Sequence, residues 1–322
     1  MAIYTKLSEN NLKEFFLKYN LGKLLNYKGI QEGIENTNYF IQTDKGKFIL
    51  TVYEKRVEEK DLPFFMGLMK NLFDANFPSP EPIINKNGNY VTEISGKKAA
   101  VVSFLDGSAK KNLNPNDCHK VGIQAAKLHL ITKKLIVKRE NKLSVNSWRK
   151  IYKKVQKDCS RIHLNLAKTI EKNLDEIENN WPKNIPSGII HADLFPDNIF
   201  FKDDKLTGII DFYFSCYDFY VFEIAICLNA LCFEGQKENL SFNVTKAKKF
   251  IDGYSSIKKL TEEEKKSLKI LCQGAAMRFL LTRVFDYLNL TEGALVKIKD
   301  PIEYLKRLEF HNSVKDHQDY FF

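Results

Sequence analysis

His191-Ala192-Asp193-Leu194-Phe195-Pro196-Asp197-Asn198, followed by the apolar run Ile199-Phe200-Phe201 and then by Ile209-Ile210-Asp211-Phe212, is the stretch on which the fold of this chain turns. Residues 188–214 read as a loop, a strand, a turn at Asp203-Asp204 and a second strand, set as an island among helical periodicities. Asp193 and Asn198 then lie five apart on one loop, and Asp211 stands at the end of the next apolar strand. Carboxylates and an amide brought together in this way supply hard oxygen ligands, which suit Mg²⁺ held jointly with a nucleotide's phosphates. One of the carboxylates is able instead to take a proton from an attacking hydroxyl. Alone, Asp, Asn and Pro are also what any loop uses; the two segments at this distance carry the chemical reading.

Upstream of the island, after a short amphipathic helix from about Glu9 to Tyr19, Tyr27 to Tyr53 reads as strand, polar loop, strand, tight turn and strand. The turn is Asp44-Lys45-Gly46-Lys47, and its flanks, Asn38 to Thr43 and Phe48 to Tyr53, are rich in β-branched and aromatic residues, as in an antiparallel hairpin. A helix follows, ending near Asn76, with Pro63 confined to its first turn. Strands at Asn89 to Ile94 and Lys98 to Phe104 complete a small sheet. Past Asp106-Gly107 the periodicity becomes 3.6, with helices expected at about Pro115 to Lys134, Trp148 to Asn180, Phe219 to Phe233, Val244 to Tyr254, Thr261 to Leu290 and Pro301 to Phe310. The expected architecture is α+β in two lobes, a sheet-based lobe over residues 1–105 and a helical lobe over 106–322.

Composition narrows the class of function. A chain of 322 residues that is 44% hydrophobic and 28% charged can bury a substantial core, and 15 Gly with 9 Pro are too few for a low-complexity scaffold. The net charge of +10, from 50 Lys+Arg against 40 Asp+Glu, is dispersed as short clusters such as Lys133-Lys134 and Lys138-Arg139. That pattern suits an anionic small ligand, and with no basic stripe interleaved with aromatics a nucleic-acid partner is not expected. The six cysteines show no C-x-x-C pair and no zinc spacing with His, so they read as reduced, buried small hydrophobes. The N-terminus MAIYTKLSEN lacks a signal peptide's apolar core, and no stretch is long and uncharged enough to span a bilayer. A cytoplasmic protein without a membrane partner is the expectation.

The island resembles the catalytic loop H-x-D-x-x-x-x-N and the metal-binding Asp of the protein-kinase-like fold, in the variant of the aminoglycoside and choline kinases, where the second motif reads I-D-F/W instead of D-F-G. The resemblance implies ATP as donor and Mg²⁺ as its counterion, with Asp193 deprotonating the substrate hydroxyl, His191 bracing the loop, and Asn198 and Asp211 holding the metal. It makes 33–38 the phosphate-covering loop, where Asn36, Thr37 and Asn38 would donate to phosphate oxygens. The strand Lys98 to Leu105 would run into the connector between lobes, with Val102, Ser103 and Phe104 at the adenine edge. One departure stands out: Thr51 occupies the position of the strand lysine that in such kinases binds the α and β phosphates, so Mg²⁺, backbone donors or another cation must supply that charge.

The combination GIENTNYF, FILTVYE, HADLFPDN, IIDFYFSCYD and MRFLLTRVFD is similar to the homoserine kinases built on this fold, over nearly the whole chain. L-homoserine carries a carboxylate, an ammonium and the attacking hydroxyl. Arg278 and Arg283 are the candidates for the carboxylate through their forked guanidinium groups, Asp218 and Glu223 for the ammonium, and Tyr213 for the pocket wall. Arg283 could equally pair with Asp286, Asp218 could cap the next helix, and Trp148, beside Arg149 and Lys150, could mark a helix start or be a cation-binding aromatic. Another acceptor, an aminoglycoside or choline, and a nucleotide-binding pseudokinase lacking turnover are the alternatives that the residues leave open.

Overall fold

The computed structural model describes residues 4–31, 36–54, 57–235, 239–289 and 299–320. The Gly33-Ile34-Glu35 part of the expected phosphate loop, and Lys55 and Arg56, lie outside these. The chain forms two compact units. The first comprises residues 1–108 together with 207–213, and the second comprises 109–206 and 214–322. A single cut after residue 105 was the sequence expectation; the chain in fact returns to the first unit for seven residues, Thr207 to Tyr213, before re-entering the second.

The first unit opens with helix α1 (Glu9–Phe16), whose N-cap Ser8 accepts from the Asn11 amide while the Asn11 side chain accepts from the Ser8 amide. Its buried face, Leu12, Phe15 and Phe16, packs with Ile41, Leu50 and Val101 of the sheet. The strands are β1 (Leu24–Ile30), β2 (Thr37–Thr43), β3 (Gly46–Val52), β4 (Pro82–Ile83), β5 (Val91–Ile94) and β6 (Lys97–Ser103). They form one antiparallel sheet in the order β1-β2-β3-β6-β4, with β5 paired to β6. Between β3 and β4 runs α2 (Leu62–Asp74), with Pro63 in its first turn. The returning segment is stitched in by backbone and side-chain hydrogen bonds, from the Ile209 amide to the Pro78 carbonyl (2.7 Å) and from the Thr207 hydroxyl to the Asp106 carbonyl (2.7 Å).

The second unit is mostly helical. After the short strand β7 (Ser108–Ala109) come α3 (Pro115–Ile131), α4 (Val145–Val155) and α5 (Leu166–Asn180). The single helix expected over residues 148–180 is therefore two, separated by a 3-10 turn at Gln156–Arg161, where Asp158, Ser160 and His163 disfavour α-helix and only Cys159 is buried. Strand β8 (Ser187–Ile190) precedes the catalytic loop and pairs antiparallel with β11 (Cys216–Phe219), setting Ile190 opposite Cys216. Neither strand was legible in the sequence, since each is defined by its pairing with the other and not by a local pattern. Between them lie β9 (Ile199–Lys202) and β10 (Lys205–Ile209). Helices α6 (Tyr220–Leu231), α7 (Val244–Ser255), α8 (Glu262–Leu288) and α9 (Ile302–Ser313) complete the unit.

Helix α6 is buried around nearly its whole circumference, and α8 buries one continuous stripe from Leu268 to Val284, so together they form the unit's core. Helices α3 and α7 meet backbone to backbone at Gly122 and Gly253: a Cβ on either would stand 2.1 Å from a main-chain oxygen of the other helix. Trp148 is fully buried, donates to the Leu143 carbonyl at 2.8 Å and meets Trp181 edge to face, so it is core and not a ligand-facing aromatic. All six cysteines are free and buried. Among the described residues, no helix is long and apolar enough to cross a membrane.

Candidate active site

In the second unit, β8 delivers His191 to the start of a loop that turns twice in eight residues. Ala192 sits in the left-handed region at φ 65°, unusual for a residue with a Cβ. The Phe195 amide returns to the Asp193 carbonyl (2.8 Å) and the Asn198 amide to the Phe195 carbonyl (2.9 Å), with Pro196 opening a 3-10 turn over Pro196–Asn198. Leu194 is fully buried and Phe195 stacks edge to face on Phe279, 4.9 Å between centroids. The apolar residues inside the motif are its anchors.

A side-chain collar fixes this backbone. Glu223, fully buried on the first turn of α6, accepts from the His191 amide and from the Ala192 amide (3.0 Å). Arg278 of α8, only 2% exposed, donates through Nη1 to the Ala192 carbonyl at 2.7 Å. Its guanidinium also lies over the Phe214 and Phe279 rings, at 5.6 and 4.7 Å from their centroids. His191 is itself buried, and its Nδ1 accepts from the Asp193 amide at 3.2 Å. The Ala192 peptide groups are thus satisfied on both sides by charged side chains from two different helices, which offsets the strain of its conformation.

Asp193 and Asn198 meet directly. The Asn198 amide nitrogen donates to the Asp193 carbonyl (2.9 Å) and to its carboxylate Oδ2 (3.1 Å), which fixes the carboxylate's direction and turns the Asn198 oxygen away from it. Burial raises the Asp193 pKa above the usual carboxylate value, and the Arg278 and Lys299 charges with the Asn198 hydrogen bond pull it back. Burial likewise lifts Glu223 to about 7, against the opposing pull of the Ala192 and His191 amides and of Arg278. A carboxylate oriented by an amide and tuned upward is suited to accept a proton from a hydroxyl.

In the first unit, Asp211 also lies in the left-handed region, at φ 65°. Two residues on, Tyr213 accepts from the Tyr53 hydroxyl (3.2 Å) and packs edge to face on Tyr53 and Phe65, at 5.3 and 5.5 Å between centroids. Burial pushes its pKa to about 12, so it stays a neutral hydrogen-bonding group. Thr51 is 3% exposed, and its hydroxyl donates to Asn38 Oδ1 at 2.8 Å across the β2–β3 register, in which the two residues face each other. Asn36 Oδ1 accepts from the Glu54 amide (3.2 Å), and Thr37 donates to Glu54 Oε1 (2.8 Å) while accepting from the Thr5 amide (3.1 Å). Glu54 in turn, just past the end of β3, is ion-paired with Lys97 at the start of β6, a pair that sequence reasoning missed because its members lie 43 residues apart. Asn36, Thr37 and Asn38 are therefore tied to Glu54, Thr5 and Thr51.

Along β6, the Ser103 amide donates to the Glu81 carbonyl (2.8 Å) and the Phe104 amide to the Lys47 carbonyl (3.2 Å), so these two donors are used inside the sheet. The Phe104 ring meets Phe40 edge to face, 5.4 Å between centroids. Val102 lies between Ile49 of β3 and Pro82 of β4.

The expected substrate residues have partners within the second unit. Arg283 donates to the Asp300 carbonyl (2.9 Å) and to Glu303 (2.8 Å). Asp218 accepts from the Asn141 side chain (2.6 Å) and from the Phe219 amide (2.7 Å), and burial raises its pKa. Glu223, expected at an ammonium, holds backbone amides instead. No signal short of the fold could reveal this, because the collar is assembled from α6 and α8, 31 to 86 residues from the loop it holds.

Comparison with known proteins gives this geometry its class. Residues 26–256 match the model of the phosphotransferase enzyme family, and the chain belongs to that family. It is 46% identical over 314 residues to a homoserine kinase of Beijerinckia indica subsp. indica, covering 98% of this chain and 97% of that one. It is 43% identical over 320 residues to a homoserine kinase of Agrobacterium fabrum, covering 99% and 98%. Among solved structures it resembles an amicoumacin kinase in complex with AMP-PNP and Ca²⁺ (TM-score 0.70, 15% identity, 97% of this chain and 95% of that one). It also resembles an ethanolamine kinase of Plasmodium vivax (TM-score 0.61, 15% identity, 97% and 96%). These structural likenesses establish the two-lobed protein-kinase-like fold.

Proposed function

We propose that this protein transfers the γ-phosphoryl group of ATP to the hydroxyl of L-homoserine, giving O-phospho-L-homoserine for threonine synthesis, in the cytoplasm and with Mg²⁺ accompanying the nucleotide. The observation that carries the reading is the oriented Asp193 carboxylate, in a chain 43% to 46% identical over nearly its whole length to proteins that are homoserine kinases. Phosphoryl transfer asks a protein mainly for positioning and charge stabilisation. Asp193 aims the substrate hydroxyl and accepts its proton, and the collar of Glu223 and Arg278 keeps that carboxylate in place between turnovers.

The donor set fits Mg²⁺. In this reading Asn198, whose amide nitrogen is spent on Asp193, and Asp211 are the residues that would hold it, each through a hard oxygen. When bound, Mg²⁺ would neutralise charge on the phosphate oxygens. With Thr51 in place of a lysine, that neutralisation falls on the cation and on backbone donors of 33–38, with Asn36, Thr37 and Asn38 shaping the loop. Adenine recognition, expected at Val102, Ser103 and Phe104, falls in this reading to their carbonyls and to groups beyond Phe104. In this reading Arg278 supports the loop through its bond to the Ala192 carbonyl instead of binding the substrate's carboxylate. Arg283 and Asp218 are likewise taken up structurally, and Tyr213 remains a candidate wall of the pocket.

The test is ATP consumption by the purified full chain with Mg²⁺ and, separately, L-homoserine, L-serine, L-threonine, choline and kanamycin, with the product identified by mass. Selective turnover of homoserine is expected. Selective turnover of another acceptor would discard the substrate, and measurable ATP binding with no turnover on any would favour a pseudokinase.

A further inference from the structure

At the start of β8, away from the end that carries His191, the second unit holds a cavity of about 480 Å³. Gly188 makes room for it: a Cβ there would stand 2.1 Å from the Tyr220 hydroxyl, so the tyrosine ring lies directly against bare backbone. The cavity's polar lining includes Lys133, Lys138, Lys258, His129, Tyr217 and Tyr220, and no Asp or Glu is among its described lining residues.

Charge accounting at this wall leaves an excess of two. Lys258 is compensated, 3.4 Å from the fully buried Glu264, and its ammonium lies 4.8 Å over the Tyr220 ring. Among the described residues, Lys133 and Lys138 have no acidic partner. The Lys138 ammonium stands 4.1 Å over the ring of Tyr217, whose hydroxyl accepts from Ser187 at 3.1 Å. His129 is 1% exposed, and its Nδ1 is engaged by the Tyr254 hydroxyl at 2.8 Å. Its Nε2 is buried with no hydrogen-bond partner among the described residues, an exception that buried polar atoms seldom show.

We propose that this cavity is a binding site for a small organic dianion, a phosphomonoester with a compact apolar body. Two uncompensated ammonium groups match two negative charges, and lysines act on phosphate as point charges without demanding a planar fork. The volume is that of an ordinary small-molecule site. The tyrosine rings, with Leu135 and Ile189, supply the apolar wall for the body of the ligand. The site is separate from the groups around Asp193, yet it is built on the same supports. Ser187 to Ile189 belong to the strand that ends just before His191, and Tyr220 lies one helical turn before Glu223.

The experiment is calorimetric titration of the full chain with phenyl phosphate, in saturating AMP-PNP and Mg²⁺ so that nucleotide binding is already satisfied. Saturable one-to-one binding is expected, weakened about tenfold or more in the Lys133→Ala/Lys138→Ala double variant, while phosphotransfer turnover without the probe stays at the wild-type rate. Absence of saturable binding, or unchanged affinity in the double variant, would overturn the site. Benzoate binding as tightly as phenyl phosphate would overturn its assignment to a dianion, and displacement of the probe by nucleotide would place the binding elsewhere.

Discussion

Arg278 donates to the carbonyl of Ala192 at 2.7 Å, 86 residues away in sequence, and the same guanidinium is a charge that lowers the pKa of the neighbouring Asp193. Arg278→Met therefore removes a loop anchor and a stabilising cation together. We expect kcat to fall roughly tenfold or more. Loss of the cation disfavours the Asp193 carboxylate, so the acid limb of the kcat/KM profile should move to higher pH. A rise in KM for homoserine with kcat and the acid limb unmoved would instead return Arg278 to the substrate's carboxylate.

Glu223 separates two effects that are usually entangled. Glu223→Ala strands two buried amides, at a cost of about 1–3 kcal/mol each, and should lower both stability and turnover. Glu223→Gln keeps an acceptor for both amides and should retain the loop. The wild-type carboxyl, lifted from 4.5 to about 7 in the fold, binds more protons folded than unfolded between those values. Its contribution to stability is fully present below about pH 4.5 and is lost as pH rises through about 7, up to about 3 kcal/mol. The buried His129 and His311, both with lowered pKa values, act in the opposite direction but equally in both proteins. The difference in urea stability between wild type and Glu223→Gln across pH 4 to 8 isolates the carboxyl, and a difference that does not change with pH would refute the shift.

Asp193→Asn keeps an oxygen for the Asn198 hydrogen bond while removing the proton acceptor. Turnover should drop by about 10²- to 10⁴-fold with nucleotide affinity unchanged. Near-normal turnover would remove Asp193 from the role of base.

Thr51 cannot simply be exchanged for the lysine of related kinases. The position is 3% exposed, and its hydroxyl is bonded to Asn38 in the sheet. Thr51→Lys buries a cation without a carboxylate partner and should cost about 2 kcal/mol or more in urea unfolding. Equal stability together with a lower KM for ATP would mean that the site has room for the cation after all.

Much of this was readable from sequence because it is local. The hairpin over β2 and β3, Pro63 in the first turn of α2, and the Asp193–Asn198 spacing each announce themselves within one short stretch of chain. Strands β8 and β11 did not, being defined by their pairing with each other. The helix break at Gln156–Arg161 was hidden by continuing apolar periodicity. The roles of Arg278, Glu223 and Asp218 were invisible for a different reason: a charged residue in an apolar run must have a partner, but the sequence does not say whether that partner is a ligand or the backbone.

The collar around Ala192 also bears on time. A loop whose strained residue is held by Glu223 on one side and Arg278 on the other is set once, when the helical unit folds, and need not be reassembled on each turnover. Its His191 and Ala192 amides, though outside any strand or helix, are bonded to a buried carboxylate. In deuterium exchange they should open on the clock of the α6–α8 core, hours behind the loops around them.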